Sequence, residues 1–284
     1  MPRKLTPYNT DNSWVENMSF QNIKLIIKDQ VAFVVLHRPE KMNALNFQMF
    51  KELDSAYRIL KSDRTLRAVV ITGEGEHFCS GLDIKSVMAS KVSALKLLWK
   101  WLPGNANLAQ RVSINWQRLP VPVIAKISGH CYGGGMQIAL GADFRIVSPD
   151  SDFSIMESKW GLMPDMAGLA NLRHIMPKDK AMKLTMTSEI IDANKALEYG
   201  LVSQVTADVE SEVTKLIGQF RTRSPDALAG IKKGYYRNWS ASVRSLLRRE
   251  TWYQIKLLLG GNQRRAVYRQ TMDKSAPYHH RRFK

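Results

Sequence analysis

Cysteine is almost missing from this sequence: Cys79 and Cys131 are the two thiols in 284 residues. Two thiols build neither a disulfide framework nor a four-cysteine zinc site, and they fit a reducing compartment. Long apolar runs are missing as well. No stretch of eighteen apolar residues occurs, so no transmembrane helix and no membrane partner are expected. The first twenty residues hold Asp11 and Glu16 and no apolar h-region, unlike a secretory leader, and their single Arg does not suit a mitochondrial presequence. The closing His280-Arg281-Arg282-Phe283-Lys284 is not a Ser-Lys-Leu address. A cytoplasmic protein is the expectation.

Acidic residues are the third shortage, with 25 Asp or Glu against 42 Lys or Arg and a net charge of +17. From Arg221 to Lys284, 16 Lys or Arg stand against 3 Asp or Glu, so this segment carries +13 of the total. Such a field attracts anions, and both nucleic acid and the phosphates of coenzyme A qualify. Solvated helix faces produce the same count, so charge alone does not choose.

What is present reads as strands alternating with helices. Ile23, Leu25, Ile27 and then Val31, Phe33, Val35 alternate as two short strands, with Lys28-Asp29-Gln30 as a tight turn between them. Asn43-Ala44-Leu45-Asn46 leads into a helix with Met49, Leu53, Tyr57 and Leu60 on one face. Ala68 to Thr72, Val121 to Ile127, Arg145 to Val147 and Phe153 to Ile155 read as further strands. This order predicts an α/β fold with largely parallel pairing. After residue 206 helices take over. Ser224-Pro225-Asp226 is a helix start, and Leu246, Trp252, Ile255 and Leu259 suggest an apolar stripe on a helix ended by Gly260-Gly261. The expected organisation is a loosely ordered arm at 1–19, a core at 20–206 and a helical region at 207–284.

Two glycine-centred segments carry the first hint of chemistry. One is His77-Phe78-Cys79-Ser80-Gly81-Leu82-Asp83-Ile84-Lys85; the other is Ser128-Gly129-His130-Cys131-Tyr132-Gly133-Gly134-Gly135-Met136-Gln137. Each follows a strand, and the second opens an apolar helix, where backbone N–H groups are free. Two such loops can aim one N–H each at a single oxygen, which is an oxyanion hole. Tight connections look the same in sequence.

Taken together the blocks are more specific. Leu36-His37-Arg38-Pro39-Glu40-Lys41-Met42-Asn43-Ala44-Leu45-Asn46, then Ile71-Thr72-Gly73-Glu74-Gly75 with Phe78 to Ile84, then Pro122-Val123-Ile124-Ala125 with Gly129 and Gly133-Gly134-Gly135, resemble the crotonase (enoyl-CoA hydratase/isomerase) superfamily. They occur in that family's order and separations, from about residue 20 to 275. The resemblance implies a ββα spiral core, a helical C-terminal trimerisation region, and a homotrimer or dimer of trimers. It also implies a thioester oxygen held by the backbone N–H groups of Leu82 and Gly134. The adenine of CoA would run along Asp83, Ile84 and Lys85, and Lys274 falls where the family's C-terminal part contacts CoA. CoA would be part of the substrate, with no metal and no other cofactor.

The acids decide the reaction. A hydratase of this family places one Glu on the helix after the triple glycine and a second about twenty residues later. Here the first position is Gln137 and the second is Glu157. A Gln neither gives nor takes a proton at neutral pH, so two-carboxylate hydration is in doubt. Asp165, eight residues beyond Glu157, resembles the dienoyl-CoA isomerases, which use carboxylates at both of these positions and carry an Asp where this chain has Gln137. Glu157 is therefore the expected base, Asp165 the second proton carrier and Gln137 a neutral positioning residue. Asp165 after Pro164 also reads as a helix N-cap. The rival reading is an RNA-binding or regulatory homologue with reduced catalysis. Its basis is the basic C-terminal segment interleaved with Tyr235, Tyr236, Trp239, Trp252 and Tyr253.

Overall fold

The computed structural model describes residues 20–88 and 91–283, and the expected N-terminal arm lies outside the described residues. The first alternating runs form β1 (Ile23–Lys28) and β2 (Val31–Leu36), paired antiparallel in full register. Asp29 and Gln30 join them with φ of 49° and 66°, so both lie in the left-handed region of a two-residue hairpin turn. The Asn46 side chain accepts from Met49 N–H and starts α1 (Phe47–Ser62), which buries Met49, Leu53, Tyr57 and Leu60 as its periodicity predicts.

β3 (Ala68–Gly73) follows, then α2 (Ile84–Met88), α3 (Lys91–Leu98) and α4 (Leu108–Arg118). β4 (Val123–Ile127) begins two residues later than the run from Val121 suggests, after Pro122, which has no N–H to give a ladder. Next come β5 (His130–Tyr132), α5 (Gly133–Leu140), β6 (Phe144–Val147) and β7 (Asp152–Ser154). Further on lie α6 (Gly168–Leu172), α7 (Lys178–Thr187), β8 (Ile191–Asp192), α8 (Ala193–Glu198) and β9 (Gln204–Val205). Four helices follow: α9 (Val209–Arg221), α10 (Pro225–Asn238), α11 (Val243–Leu258) and α12 (Gly261–Thr271).

The main sheet runs β1-β2-β3-β4-β6-β9 and is parallel from β2 onward; β5-β7-β8 form a second, smaller sheet. Both faces of the main sheet are covered at its centre, which is why β2 is apolar throughout and β3 nearly so. Val34, Leu36, Val69, Ile71 and Ala125 face the large core containing α1, α4 and α5. The alternate residues Val31, Ala68, Val70, Ile124 and Ile146 pack on Val209, Val213 and Ile217 of α9. Every parallel strand points its C-terminal end toward the loops that carry the glycine segments.

The C-terminal helices are locked to this core by a buried cation. Lys232 of α10 donates to the carbonyls of Trp116 and Val121, each at 2.9 Å, and lies 2.7 Å from Asp143. The expected stripe on α11 is largely uncovered among the described residues. Trp252, Ile255 and Leu259 are exposed, while Tyr253 is the buried residue of that helix. Leu246 and Ile255 line an open groove beside α10, and Trp252 and Leu259 stay exposed among the described residues.

Candidate active site

The glycine loops meet. Cys79 and Cys131 form a parallel bridge, with Cys79 N–H donating to the His130 carbonyl and Tyr132 N–H to that of Cys79. Past this bridge Gly81 adopts φ +102°, and a Cβ there would stand 3.3 Å from the Tyr132 carbonyl and 3.8 Å from Gly133 Cα. Only glycine combines that torsion with so close an approach. A second bridge, between Leu45 and Leu82, uses the N–H groups of Leu45 and Asp83 and leaves that of Leu82 outside it. Gly134 lies in the first turn of α5, where N–H groups have no intrahelical acceptor. Leu45 and Met166 wall this turn, standing 2.9 and 3.0 Å from where a Gly134 Cβ would be.

Glu157 opens a 3-10 turn, Glu157–Trp160, just after β7. Its Oε1 lies 3.7 Å from the position of a Gly133 Cβ, which puts the carboxylate beside the glycine loop. Gln137, fully buried on α5, donates from Nε2 to Glu157 Oε1 at 2.5 Å. The amide cannot turn round, because its Oε1 already accepts from Met166 N–H at 2.9 Å and Gly168 N–H at 3.1 Å. Gly168 is needed for this approach: a Cβ would lie 2.6 Å from that oxygen. Glu157 Oε2 is buried and has no hydrogen-bond partner among the described residues. Burial pushes the Glu157 carboxyl up; its own backbone N–H and Gln137 pull it back only in part, and Asp165 adds to the rise.

Asp165 is exposed one residue before Met166, close enough to Glu157 to act on its charge, and desolvation by the surrounding protein pushes its own carboxyl up as well. It is not a helix cap. The N-cap of α6 is Ala167, in the left-handed region, because the chain bends there to turn Met166 and Gly168 N–H toward Gln137.

The Asp83 side chain is occupied. It accepts from Ser86 N–H at 3.1 Å and pairs with Arg38 at 3.1 Å, and Arg38 also donates to the Ala44 carbonyl at 2.6 Å. Partial burial would raise the Asp83 carboxyl, but the Ser86 N–H and Arg38 outweigh it and hold it low. Ile84 is half-buried and Lys85 exposed at the start of α2, next to this knot. Lys274 is exposed on the turn after α12, and among the described residues no hydrogen bond or ion pair joins it to the glycine loops. The positive charge of the C-terminal part is divided. Lys232 and Arg281 are buried, and Arg249 and Arg269 donate to the carbonyls of Arg237 and Ala276. Arg244, Arg248 and Lys256 stay exposed on α11, Lys256 lying over the Trp252 ring.

Sequence reading missed the residues behind Gln137. Ser113 of α4 donates to its carbonyl at 2.5 Å, and Asn171 of α6 donates to Ser113 at 2.9 Å. Nothing in their local sequence marks them.

The family model for enoyl-CoA hydratase/isomerase matches residues 27–254. The chain belongs to this family. (E)-Benzylidenesuccinyl-CoA hydratase of Thauera aromatica is 35% identical over 185 residues, covering 64% of this chain and 69% of that protein. The mitochondrial Delta(3,5)-Delta(2,4)-dienoyl-CoA isomerase of Mus musculus is 31% identical over 229 residues, covering 77% and 69%. A solved enoyl-CoA hydratase-type structure from Thermobifida fusca YX, in complex with acetoacetyl-CoA, superposes with a TM-score of 0.73 at 28% identity, over 84% of this chain and 94% of the other. The fold is thus the crotonase fold, and the protein is an acyl-CoA enzyme of the hydratase/isomerase type. No helix among the described residues is long and apolar enough to cross a membrane.

Proposed function

We propose that this enzyme shifts a double bond along the acyl chain of a CoA thioester, with Glu157 moving the proton. The observation that carries the reading is the Gln137 amide. With its oxygen committed to two backbone N–H groups, it meets Glu157 as a neutral donor and not as a second carboxylate. Residues 137 and 157 therefore do not form a pair of acids for activating a water, which favours proton transfer by Glu157.

In this mechanism the thioester oxygen sits between the N–H groups of Leu82 and Gly134. Charge develops on that oxygen when a carbon conjugated to the carbonyl is deprotonated, and each fixed donor is worth about 10²–10³ in rate. Glu157 Oε2, the free oxygen, takes the proton. It is returned at another carbon by Glu157 or by Asp165, whose raised carboxyl can carry a proton nearer neutral pH. CoA enters as part of the substrate, and the steps call on no metal or redox cofactor. The main chain at Asp83 and Ile84 would pass the adenine, and Lys85 and Lys274 would meet phosphates. The apolar face of α10 and α11 left uncovered among the described residues supports a homotrimer or dimer of trimers, and the two free thiols, Cys79 and Cys131, suit the reducing cytoplasm. Nucleic-acid binding with reduced catalysis has less support, since the basic residues are partly internal and the loops and Glu157 are intact.

The test is an ultraviolet assay of the purified protein and Glu157→Gln with 2-enoyl-, 3-enoyl- and 3,5-dienoyl-CoA. A double-bond shift, lost by at least about 10²-fold in the variant, is expected. Hydration of 2-enoyl-CoA alone would reject isomerisation.

A further inference from the structure

Behind the site runs a buried polar chain that none of the steps above uses. Gln117 of α4 donates to Asn171 Oδ1 at 2.6 Å, and Asn171 Nδ2 donates to Ser113 Oγ at 2.9 Å. Ser113 in turn donates to the Gln137 carbonyl at 2.5 Å. Ser113 and Gln117 lie four residues apart on one face of α4, so a single helix offers both partners. Ser113, Asn171 and Gln137 are each no more than 1% exposed.

The arrangement has an order imposed by hydrogen-bond chemistry. Gln137 is in the last turn of α5, where carbonyls lack intrahelical donors, and Ser113 supplies one. A hydroxyl has one proton, so Ser113, having given it to Gln137, must accept from Asn171. That in turn sets the Asn171 amide, whose oxygen then faces Gln117. Asn171 belongs to α6, the element whose entry bend aims Met166 and Gly168 N–H at the Gln137 side chain. One chain of bonds therefore places both the backbone and the side-chain amide of Gln137 in a single frame.

We infer that Ser113 and Asn171 are positioning residues for proton transfer: they hold Gln137 and the α6 bend so that the Gln137 amide presents its N–H to Glu157. This rests on the reading of Glu157 as the base. An aliphatic residue at 113 leaves the buried Gln137 carbonyl without its donor, and one at 171 frees the α6 bend from α4. Either change loosens the amide's grip on Glu157, and of the charged groups around that carboxylate Asp165 then acts unopposed by it. The thioester oxygen and the CoA loop are held by other bonds and stay in place.

The experiment compares Ser113→Ala, Asn171→Ala and Gln117→Met, the last at the half-exposed end of the chain where folding is least at risk. The pH dependence of kcat and KM is measured with the thioester that the wild type converts. Ser113→Ala and Asn171→Ala are expected to lower kcat about tenfold, leave KM within about twofold, and move the acid limb up by about half to one pH unit. Gln117→Met moves the limb in the same direction by less. In a Gln137→Leu background, Ser113→Ala adds no further shift. A fall in kcat that is equal at all pH values, or a Ser113 effect that persists without Gln137, overturns the inference. Full activity in Glu157→Gln would instead reject the base assignment itself, which separates the two failures.

Discussion

Glu157 is costly to the fold in the form the reaction needs. Its carboxyl titrates above the ordinary value of 4.5 because burial outweighs its hydrogen bonds. The folded state therefore binds this proton more tightly than the unfolded chain, and the contribution is fully present below pH 4.5 and lost as pH rises through the folded value. Two consequences follow in opposite directions. Turnover needs the ionised base, so kcat/KM should fall on acidification at a pH higher than an ordinary Glu would give. Stability should show the reverse. Glu157→Gln is expected to melt higher than the wild type at pH 7 and to lose that advantage by about pH 4.5, checked by thermal unfolding across the range. At this scale the family resemblance singled out Glu157 and Gln137 by their distances from the glycine run, and the two side chains do meet. The sequence was ambiguous for Asp165, where a cap and a carboxylate in a cleft read alike. It was silent on Ser113 and Asn171, whose roles come from helices distant in sequence.

Among the elements, α10 depends on Lys232. An ammonium taken out of water is tolerated because three acceptors surround it: two carbonyls from the end of α4 and the entry to β4, and the Asp143 carboxylate. Lys232→Met leaves the largely buried Asp143 carboxylate without its cation and takes a donor from the Trp116 and Val121 carbonyls. A loss of about 3 kcal/mol is expected, seen as a drop in Tm of several degrees, with the acid limb of activity unmoved because Glu157 is held elsewhere. The start of α10 was readable from Ser224-Pro225-Asp226, and Ser224 does accept from Ala227 N–H. The lysine was not readable as a structural cation; in a segment with 16 Lys or Arg it looked like one more surface charge.

For the whole molecule, the uncovered apolar surface is the main consequence of the C-terminal arrangement. Between α10 and α11 lies a groove of about 960 Å³, lined by Ile231, Tyr235, Trp239, Leu246 and Ile255 among others. Ile231, Tyr235 and Trp239 are each more than half exposed, a contiguous patch of the kind that marks a contact between proteins. Sedimentation should give a trimer or its multiple, and Trp239→Asp should dissociate it while leaving the crotonase core folded. A monomeric wild type would reject the assembly proposed here.

Hydrophobic periodicity and turn chemistry, read from the sequence alone, determined most strands of the main sheet, α1 and the start of α10, the hairpin at Asp29-Gln30, the largely parallel pairing and the family blocks, because each depends on residues close together in the chain. Tertiary structure alone decided that Gln137 faces Glu157 as a donor, that Arg38 ties Asp83, and that Lys232 is buried. Those outcomes depend on which of two atoms of a side chain meets which partner across the fold, and short-range sequence spacing carries no record of that.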